Sequence, residues 1–315
     1  MRSLLITRPL PETVLRAAAR HFDVTLRDDT SPLTAAELTS ALRDFDAVLP
    51  TLGDLFTAAV FAETPAPRAR VLANFGVGYN HIDVAAARAA GVMVTNTPGA
   101  VTDATADIAL TLMLMTARRA GEGERLLRAG RWQGWHPTQM LGMHLTGKRL
   151  GVIGMGRIGQ AIARRCHFGF GMEVVFHNRS EVDPGLPARQ VPMAEALAAD
   201  VVVVAVPGGP TRHLIGAGAL AQMQPHGILV NISRGDVVDE AALIDALTEG
   251  RIAGAGLDVY EFEPRVPAAL CAMENVTLLP HLGTAALEVR EAMGLMAVEN
   301  LIAAQEGRVP PNLIG

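Results

Sequence analysis

Short apolar runs alternate with amphipathic stretches along the chain, the pattern of parallel strands covered by helices on both faces. In the N-terminal part, apolar runs at 4–7, 24–26, 47–49, 71–73 and 93–94 predict strands. Each is followed by a turn or a helical stretch such as 34–42. The sequence Asn96-Thr97-Pro98-Gly99 breaks this pattern and reads as a crossover between domains. Residues 102–120 give the longest helical pattern here, with Thr102 placed to cap it and Asp103 near its positive end. Ile108, Leu112 and Met115 share one face while Leu110 and Leu114 lie on another, so this helix is expected to be buried. From Lys148 a second series begins, with strands over 150–153, 173–176, 201–206, 228–232, 253–257 and 276–278 and helices such as 158–166 and 240–248. A last helix over 285–305 is expected to return to the first domain, since alone it leaves its Leu and Met face exposed.

Composition narrows the class. Half of the 315 residues are apolar, ample for a buried core and about two domains. The net charge is −5 and no Lys/Arg block exceeds a pair such as Arg118-Arg119, which argues against a nucleic-acid partner. Cys166 and Cys271 are far apart without C-x-x-C spacing, so neither a disulfide framework nor a structural metal site is expected. The N-terminal apolar run is broken by Arg8 and Pro9 and reads as a first strand, and no run approaches the length of a membrane span. These features describe a soluble, cytoplasmic chain without membrane or metal.

Gly154-Met155-Gly156-Arg157-Ile158-Gly159 follows the apolar run 150–153 and opens a helix. In that context G-x-G-x-x-G is a dinucleotide fingerprint. The first Gly makes the tight turn, the second admits a pyrophosphate, and the third lets helix and strand pack. The helix N-terminus then faces the phosphates, with Arg157 and Ile158 in its first turn. The next strand ends Phe176-His177-Asn178-Arg179-Ser180, where an NAD site would place a carboxylate for the ribose hydroxyls. Asn178 supplies none, and the Arg179 guanidinium can pair with a 2′-phosphate, which favours NADP, with NAD as the alternative cofactor. Pro207-Gly208-Gly209-Pro210, after the apolar run 201–206, lies where a loop could cover the adenosine side.

Downstream, NISRGDVVDEAAL (231–243) carries Arg234, followed by Glu263 and His281. A 2-oxo acid that accepts a hydride needs a forked cation for its carboxylate, a proton donor near neutral pH, and a carboxylate that orients the donor. Together with GVGYNHID (76–83), TNTPGAVTDATADIAL (95–110), GMGRIG, GLDVYEFEP (256–264) and LLPHLGTA (278–285), in this order, these segments closely resemble the D-isomer-specific 2-hydroxyacid dehydrogenases, most of all their glyoxylate/hydroxypyruvate reductase branch.

The resemblance implies two Rossmann-like, doubly wound parallel-sheet domains with the active site in the cleft between them. Residues 1–98 and 285–315 would form the substrate domain and 99–284 the dinucleotide domain. It makes Arg234 the substrate-carboxylate ligand, His281 the proton donor and Glu263 the partner that favours protonated His281; Glu261 is the rival carboxylate, and the Glu-Pro step favours Glu263. Leu52, Val77, Gly78 and Trp135 join Arg234 as substrate-binding residues, Asn74 being placed to assist. The cofactor set is Thr105, Gly154, Gly156, Arg157, Ile158, Asn178, Arg179, Ser180, Val206, Pro207, Thr211, Ile232, Ser233, Arg234, Asp258, His281 and Gly283. The implied reaction is NAD(P)H-dependent reduction of glyoxylate or hydroxypyruvate to a D-2-hydroxy acid by a homodimer. The alternatives are a dehydrogenase for a bulkier 2-oxo acid and a dinucleotide-sensing, corepressor-like binding protein.

Overall fold

Five strands, β1 (Arg2–Ile6), β2 (Phe22–Leu26), β3 (Ala47–Leu49), β4 (Val71–Ala73) and β5 (Met93–Thr95), pair in parallel in the order β2-β1-β3-β4-β5. Seven more form a second all-parallel sheet: β6 (Arg149–Ile153), β7 (Glu173–His177), β8 (Ala188–Gln190), β9 (Val201–Val204), β10 (Ile228–Asn231), β11 (Gly254–Leu257) and β12 (Val276–Leu278), in the order β12-β11-β10-β9-β6-β7-β8. The computed structural model describes residues 1–314. The chain divides into one unit of Met1–Val101 with Ala285–Gly315 and another of Thr102–Thr284.

In the first unit the continuous apolar runs β3 and β4 are buried throughout, as strands covered on both faces must be. The helix Ala35–Asp44 begins with a capping box: Thr34 accepts from Glu37 N, and Glu37 reaches back to Thr34 N. The C-terminal helix Leu287–Gln305 packs on the helix Glu12–Ala19 and on β4. Gly294 permits that approach, because a Cβ there would meet Val14 Cγ2 at 2.4 Å. The crossover stretch belongs to this unit: Asn96 N donates to Asn312 O, Thr97 N to Gly76 O, and Asn300 Nδ2 to Asn96 O. The unit therefore runs past the Asn96–Gly99 break to Val101.

In the second unit the long helix spans Thr102–Ala117, so Thr102 lies inside its first turn rather than capping it. It packs on the helix Arg157–Phe170 and on β10, β11 and β12, which accounts for its buried Ala106, Ala109, Leu112 and Met113. It ends before residue 120 because Arg119 turns left-handed, with φ 52°, and a separate helix Ala120–Arg128 follows. β8 escapes the sequence pattern: it is three residues long at the sheet edge, with little apolar character. Among the described residues no helix is long and apolar enough to cross a membrane.

The strand order of the second sheet reverses between β6 and β9, so the loops after these two strands flank a topological switch point, where open α/β sheets bind ligands. The first sheet has its own reversal between β1 and β3. There Asp54, fully buried, accepts from Thr7 Oγ1 at 2.6 Å, Thr51 N at 2.9 Å and Leu33 N at 3.1 Å, and pairs with Arg8 at 3.3 Å. This carboxylate fixes the loop 50–54. Asp54→Ala takes the acceptor from the Thr51 and Leu33 amides, the short bond from Thr7 and the counter-ion from Arg8, and is expected to cost about 2–4 kcal/mol of stability in urea unfolding; a loss under about 0.5 kcal/mol contradicts this role.

Candidate active site

The Gly-rich loop joins β6 to the helix Arg157–Phe170, and its three glycines serve different ends. Gly154 has φ 99°, and a Cβ there would meet Ala205 O at 2.7 Å and Val206 Cγ1 at 2.8 Å. A Cβ on Gly159 would meet Gly154 O at 2.2 Å. Both are demanded by packing. Gly156, the N-cap, has nothing within 4 Å of such a Cβ and is exposed. Its missing side chain leaves open space at a helix N-terminus whose first N–H groups, those of Arg157 and Ile158 among them, have no intrahelical acceptor. That space and those donors fit the pyrophosphate of a dinucleotide.

Beside this loop, Asn178 Oδ1 accepts from Met155 N at 3.3 Å, and Asn178 Nδ2 donates to Ser180 O and Oγ at 3.0 and 3.2 Å. Asn178 thus ties the end of β7 to the loop. Arg179 and Ser180 are exposed, and Arg179 forms no ion pair among the described residues. Across the switch point, Val206 packs on Gly154, Pro207 is exposed, and Thr211 Oγ1 donates to Pro207 O.

Arg234 follows β10. Asn231, 1% exposed, holds the turn that presents it: its Oδ1 accepts from Ser233 N at 3.1 Å and Ser233 Oγ at 2.8 Å, and its Nδ2 donates to Arg234 O at 3.0 Å. Ile232 and Ser233 are buried in the same turn. Gly235 then lies against the chain after β11, where a Cβ would stand 1.8 Å from Tyr260 C and 2.3 Å from Glu261 N. Only glycine allows the segments of Arg234 and Glu263 to meet this closely. Burial pulls the Arg234 guanidinium down from its ordinary value, opposed by the charges of Glu263 and Asp236.

Glu263 Oε2 accepts from or shares a proton with His281 Nδ1 at 2.9 Å, and Glu263 Oε1 accepts from Tyr260 N at 3.1 Å. Burial alone would raise the Glu263 carboxyl; the hydrogen bond and charge of His281, the Tyr260 amide and the charge of Arg234 outweigh it and hold the group below its ordinary value. His281 Nε2 has no protein partner among the described residues and is the atom open to a substrate. Glu261, the rival, points elsewhere: it pairs with Arg212 at 2.6 Å and His213 at 2.8 Å.

His281 itself has φ 55°, a strained value for a residue with a Cβ. Asp258 holds it there. The Asp258 carbonyl accepts from His281 N at 2.9 Å, and its carboxylate accepts from Leu282 N at 2.6 Å and Gly283 N at 2.8 Å. Thr105 Oγ1 completes the turn by donating to Gly283 O at 3.1 Å. Asp258 is only 1% exposed, and burial pushes its carboxyl up against the pull of the Leu282 and Gly283 amides and of His281.

The second unit therefore brings together Arg234, Glu263 and His281 with the supports Asp258, Thr105 and Gly283, and places the Gly-rich loop, Asn178, Arg179 and residues 206–211 at the switch point. Leu52, Val77 and Gly78 lie in the first unit, and Trp135 lies in an exposed stretch after the helix Ala120–Arg128. The loop at 76–78 has its own organisation. Gly76 O accepts from Asn74 Nδ2 and Thr97 N, Val77 O from Asn96 Nδ2, and Gly78 O from Asn74 Nδ2. All three carbonyls are engaged, and the Val77 and Gly78 N–H groups have no acceptor among the described residues. Sequence reasoning gave no role to Asn231, Gly235 or Tyr260, although all three lie in or beside motifs it had singled out.

A doubly wound sheet with an open glycine turn at its switch point and an acid–base pair at neighbouring strand ends is the architecture of a dinucleotide-dependent dehydrogenase. Residues 110–283 match the family model of the D-isomer specific 2-hydroxyacid dehydrogenase NAD binding domain. The chain is 44% identical to the glyoxylate reductase of Thermococcus onnurineus, covering 99% of this chain and 95% of that one. It is 43% identical to the glyoxylate reductase of Pyrococcus furiosus, covering 99% and 94%. The NADPH-dependent glyoxylate/hydroxypyruvate reductase of Sinorhizobium meliloti, solved with NADP and malonate, aligns at a TM-score of 0.88 and 37% identity, covering 100% of this chain and 97% of that one. The chain belongs to the D-isomer specific 2-hydroxyacid dehydrogenase family.

The depressed Glu263 carboxyl has a pH signature. Its contribution to stability is present above the ordinary value of 4.5 and is lost as pH falls through the lower folded value. The difference in thermal midpoint between the wild type and Glu263→Gln should therefore shrink on acidification from about pH 6 to about pH 3; a difference independent of pH contradicts the ion pair.

Proposed function

We propose that the chain reduces small 2-oxo acids, glyoxylate and hydroxypyruvate, to glycolate and D-glycerate with a nicotinamide dinucleotide, preferring NADPH. The observation that carries this reading is the His281 Nδ1–Glu263 bond of 2.9 Å, formed where the charge of Arg234 also acts on Glu263. The glyoxylate reductases of Thermococcus onnurineus and Pyrococcus furiosus, similar over nearly the whole chain, support the substrate class. The NADP complex of the Sinorhizobium meliloti reductase supports the cofactor.

The nicotinamide, when bound, supplies the hydride. Arg234 takes the substrate carboxylate with its fork and polarises the oxo group. In the first unit, the unmatched N–H groups of Val77 and Gly78 are candidate donors to an anion. His281 carries a proton on Nε2 and passes it to the oxo oxygen as the carbon is reduced, and takes it back in the reverse direction. Glu263, on Nδ1, fixes the ring and offsets its positive charge. The N–H groups at Gly156, Arg157 and Ile158 would hold the pyrophosphate, Asn178, Arg179 and Ser180 would meet the adenosine ribose, and Val206, Pro207 and Thr211 would cover it. Thr105, Ile232, Ser233 and Gly283 would complete the cofactor wall. Asp258 acts through the His281 turn.

The enzyme works as a homodimer, a reading supported by the exposed Leu127, Trp132, Trp135 and Leu141 in and after the helix Ala120–Arg128. Its cytoplasmic location is supported by two cysteines that are both free. Light scattering at micromolar concentration checks the dimer, which a particle of 33.3 kDa contradicts.

Turnover with glyoxylate and each cofactor tests the whole reading. His281→Ala should lower kcat by about two to four decades with cofactor binding nearly intact, and near-normal turnover removes His281 from the reaction. Arg179→Ala should erode NADPH use while sparing NADH, and Asn178→Asp should act in the same direction by repelling the 2′-phosphate. A charge-assisted pair contributes about 1.5–3 kcal/mol, a preference of roughly ten- to a hundredfold in kcat/KM. A wild-type kcat/KM for NADH equal to that for NADPH makes Arg179 a solvated surface residue.

A further inference from the structure

We propose that Glu261 is a positioning residue for the cofactor, acting through its contacts with Arg212 and His213. The reading rests on the cofactor site proposed above, since the loop in question, 207–213, flanks the switch point after β9.

The contacts are direct. Glu261 Oε1 accepts from Arg212 Nη2 at 2.6 Å and lies 2.8 Å from His213 Nε2, and the Glu261 side chain is only 7% exposed. A carboxylate so enclosed needs partners, and both come from the loop after β9: the Arg212 guanidinium and the His213 ring. Within the loop Thr211 Oγ1 donates to Pro207 O and Arg212 N to Gly209 O, but among the described residues its polar ties to the rest of the unit come at Arg212 and His213. Pro207, Gly208, Gly209 and Pro210 form no helix or strand, and Gly209 is left-handed with φ 86°. His213 is also left-handed, with φ 51°, and is held by its N–H to Asp236 O at 2.7 Å and by Glu261. The Glu261 backbone is fixed in turn: its N–H donates to the buried Glu240 at 2.9 Å, and Gly235 lies against it. Glu261 is thus the rigid post and residues 207–213 the segment moored to it. Glu263, two positions on, faces His281 instead, so the two carboxylates divide the work: one orders the proton donor and the other the cofactor loop.

The test is a mutant cycle of Glu261→Gln, Arg212→Ala and the double variant, with KM and dissociation constant for NADPH, kcat at saturating NADPH, and thermal midpoint. Each single variant should raise the NADPH KM and dissociation constant by about tenfold, leave kcat within about twofold, and the double variant should be no worse than the singles. Arg212 has a half-exposed side chain, so its variant keeps the test valid if Glu261→Gln does not fold. NADPH constants within about twofold of the wild type overturn the proposal, as do effects that multiply in the double variant or a fall in kcat matching the rise in KM. Failure of the wild type itself to bind NADPH or NADH refutes the cofactor reading instead, and so is distinguished from failure of the mooring.

Discussion

Asp258 takes His281 N on its carbonyl and the amides of Leu282 and Gly283 on its carboxylate, while almost fully buried. Those three bonds, with Thr105 Oγ1 donating to Gly283 O, hold a histidine at a positive φ, a strained state that persists only when its surroundings over-determine it. The ring direction follows from that backbone, and the Glu263 contact follows from the ring direction. Asp258 N also donates to Asn231 O, so the same residue links the His281 turn to the turn that carries Arg234. The arrangement of Arg234, Glu263 and His281 at the ends of β10, β11 and β12 depends on this one buried residue.

The remaining constraints are steric. Gly235 allows the Arg234 segment to lie on Tyr260 and Glu261, and Gly154 and Gly159 allow the strand, turn and helix of the cofactor loop to close. Gly156 differs in leaving space that no protein atom fills. Packing glycines and an access glycine are therefore separable within one six-residue motif, and the separation locates where a ligand approaches.

Much of this was legible in the sequence because the signals were local. Continuous apolar runs marked β3, β4, β9 and β10, and the G-x-G-x-x-G spacing marked the turn after β6. The Glu-Pro step singled out Glu263 over Glu261, and in the fold Glu263 meets His281 whereas Glu261 meets Arg212 and His213. What was not legible depends on residues distant in sequence. β8 has no apolar run because it sits at a sheet edge, and Thr102 resembles a cap although the helix already includes it. Asp258 and Asn231 stand in recognisable motifs, but only the fold shows that their polar atoms hold backbone rather than facing solvent. The structural role of Gly235 likewise requires knowing what lies beside it.

The central claim is that this site moves a hydride to the carbonyl carbon of a small 2-oxo acid. The most direct measurement uses NADPH deuterated at the transferable nicotinamide position, with glyoxylate as acceptor and mass spectrometry of the product. The account predicts glycolate carrying one deuterium on carbon at wild-type turnover, and almost none formed by His281→Ala. Glycolate without deuterium, or no glycolate from the wild type, contradicts it.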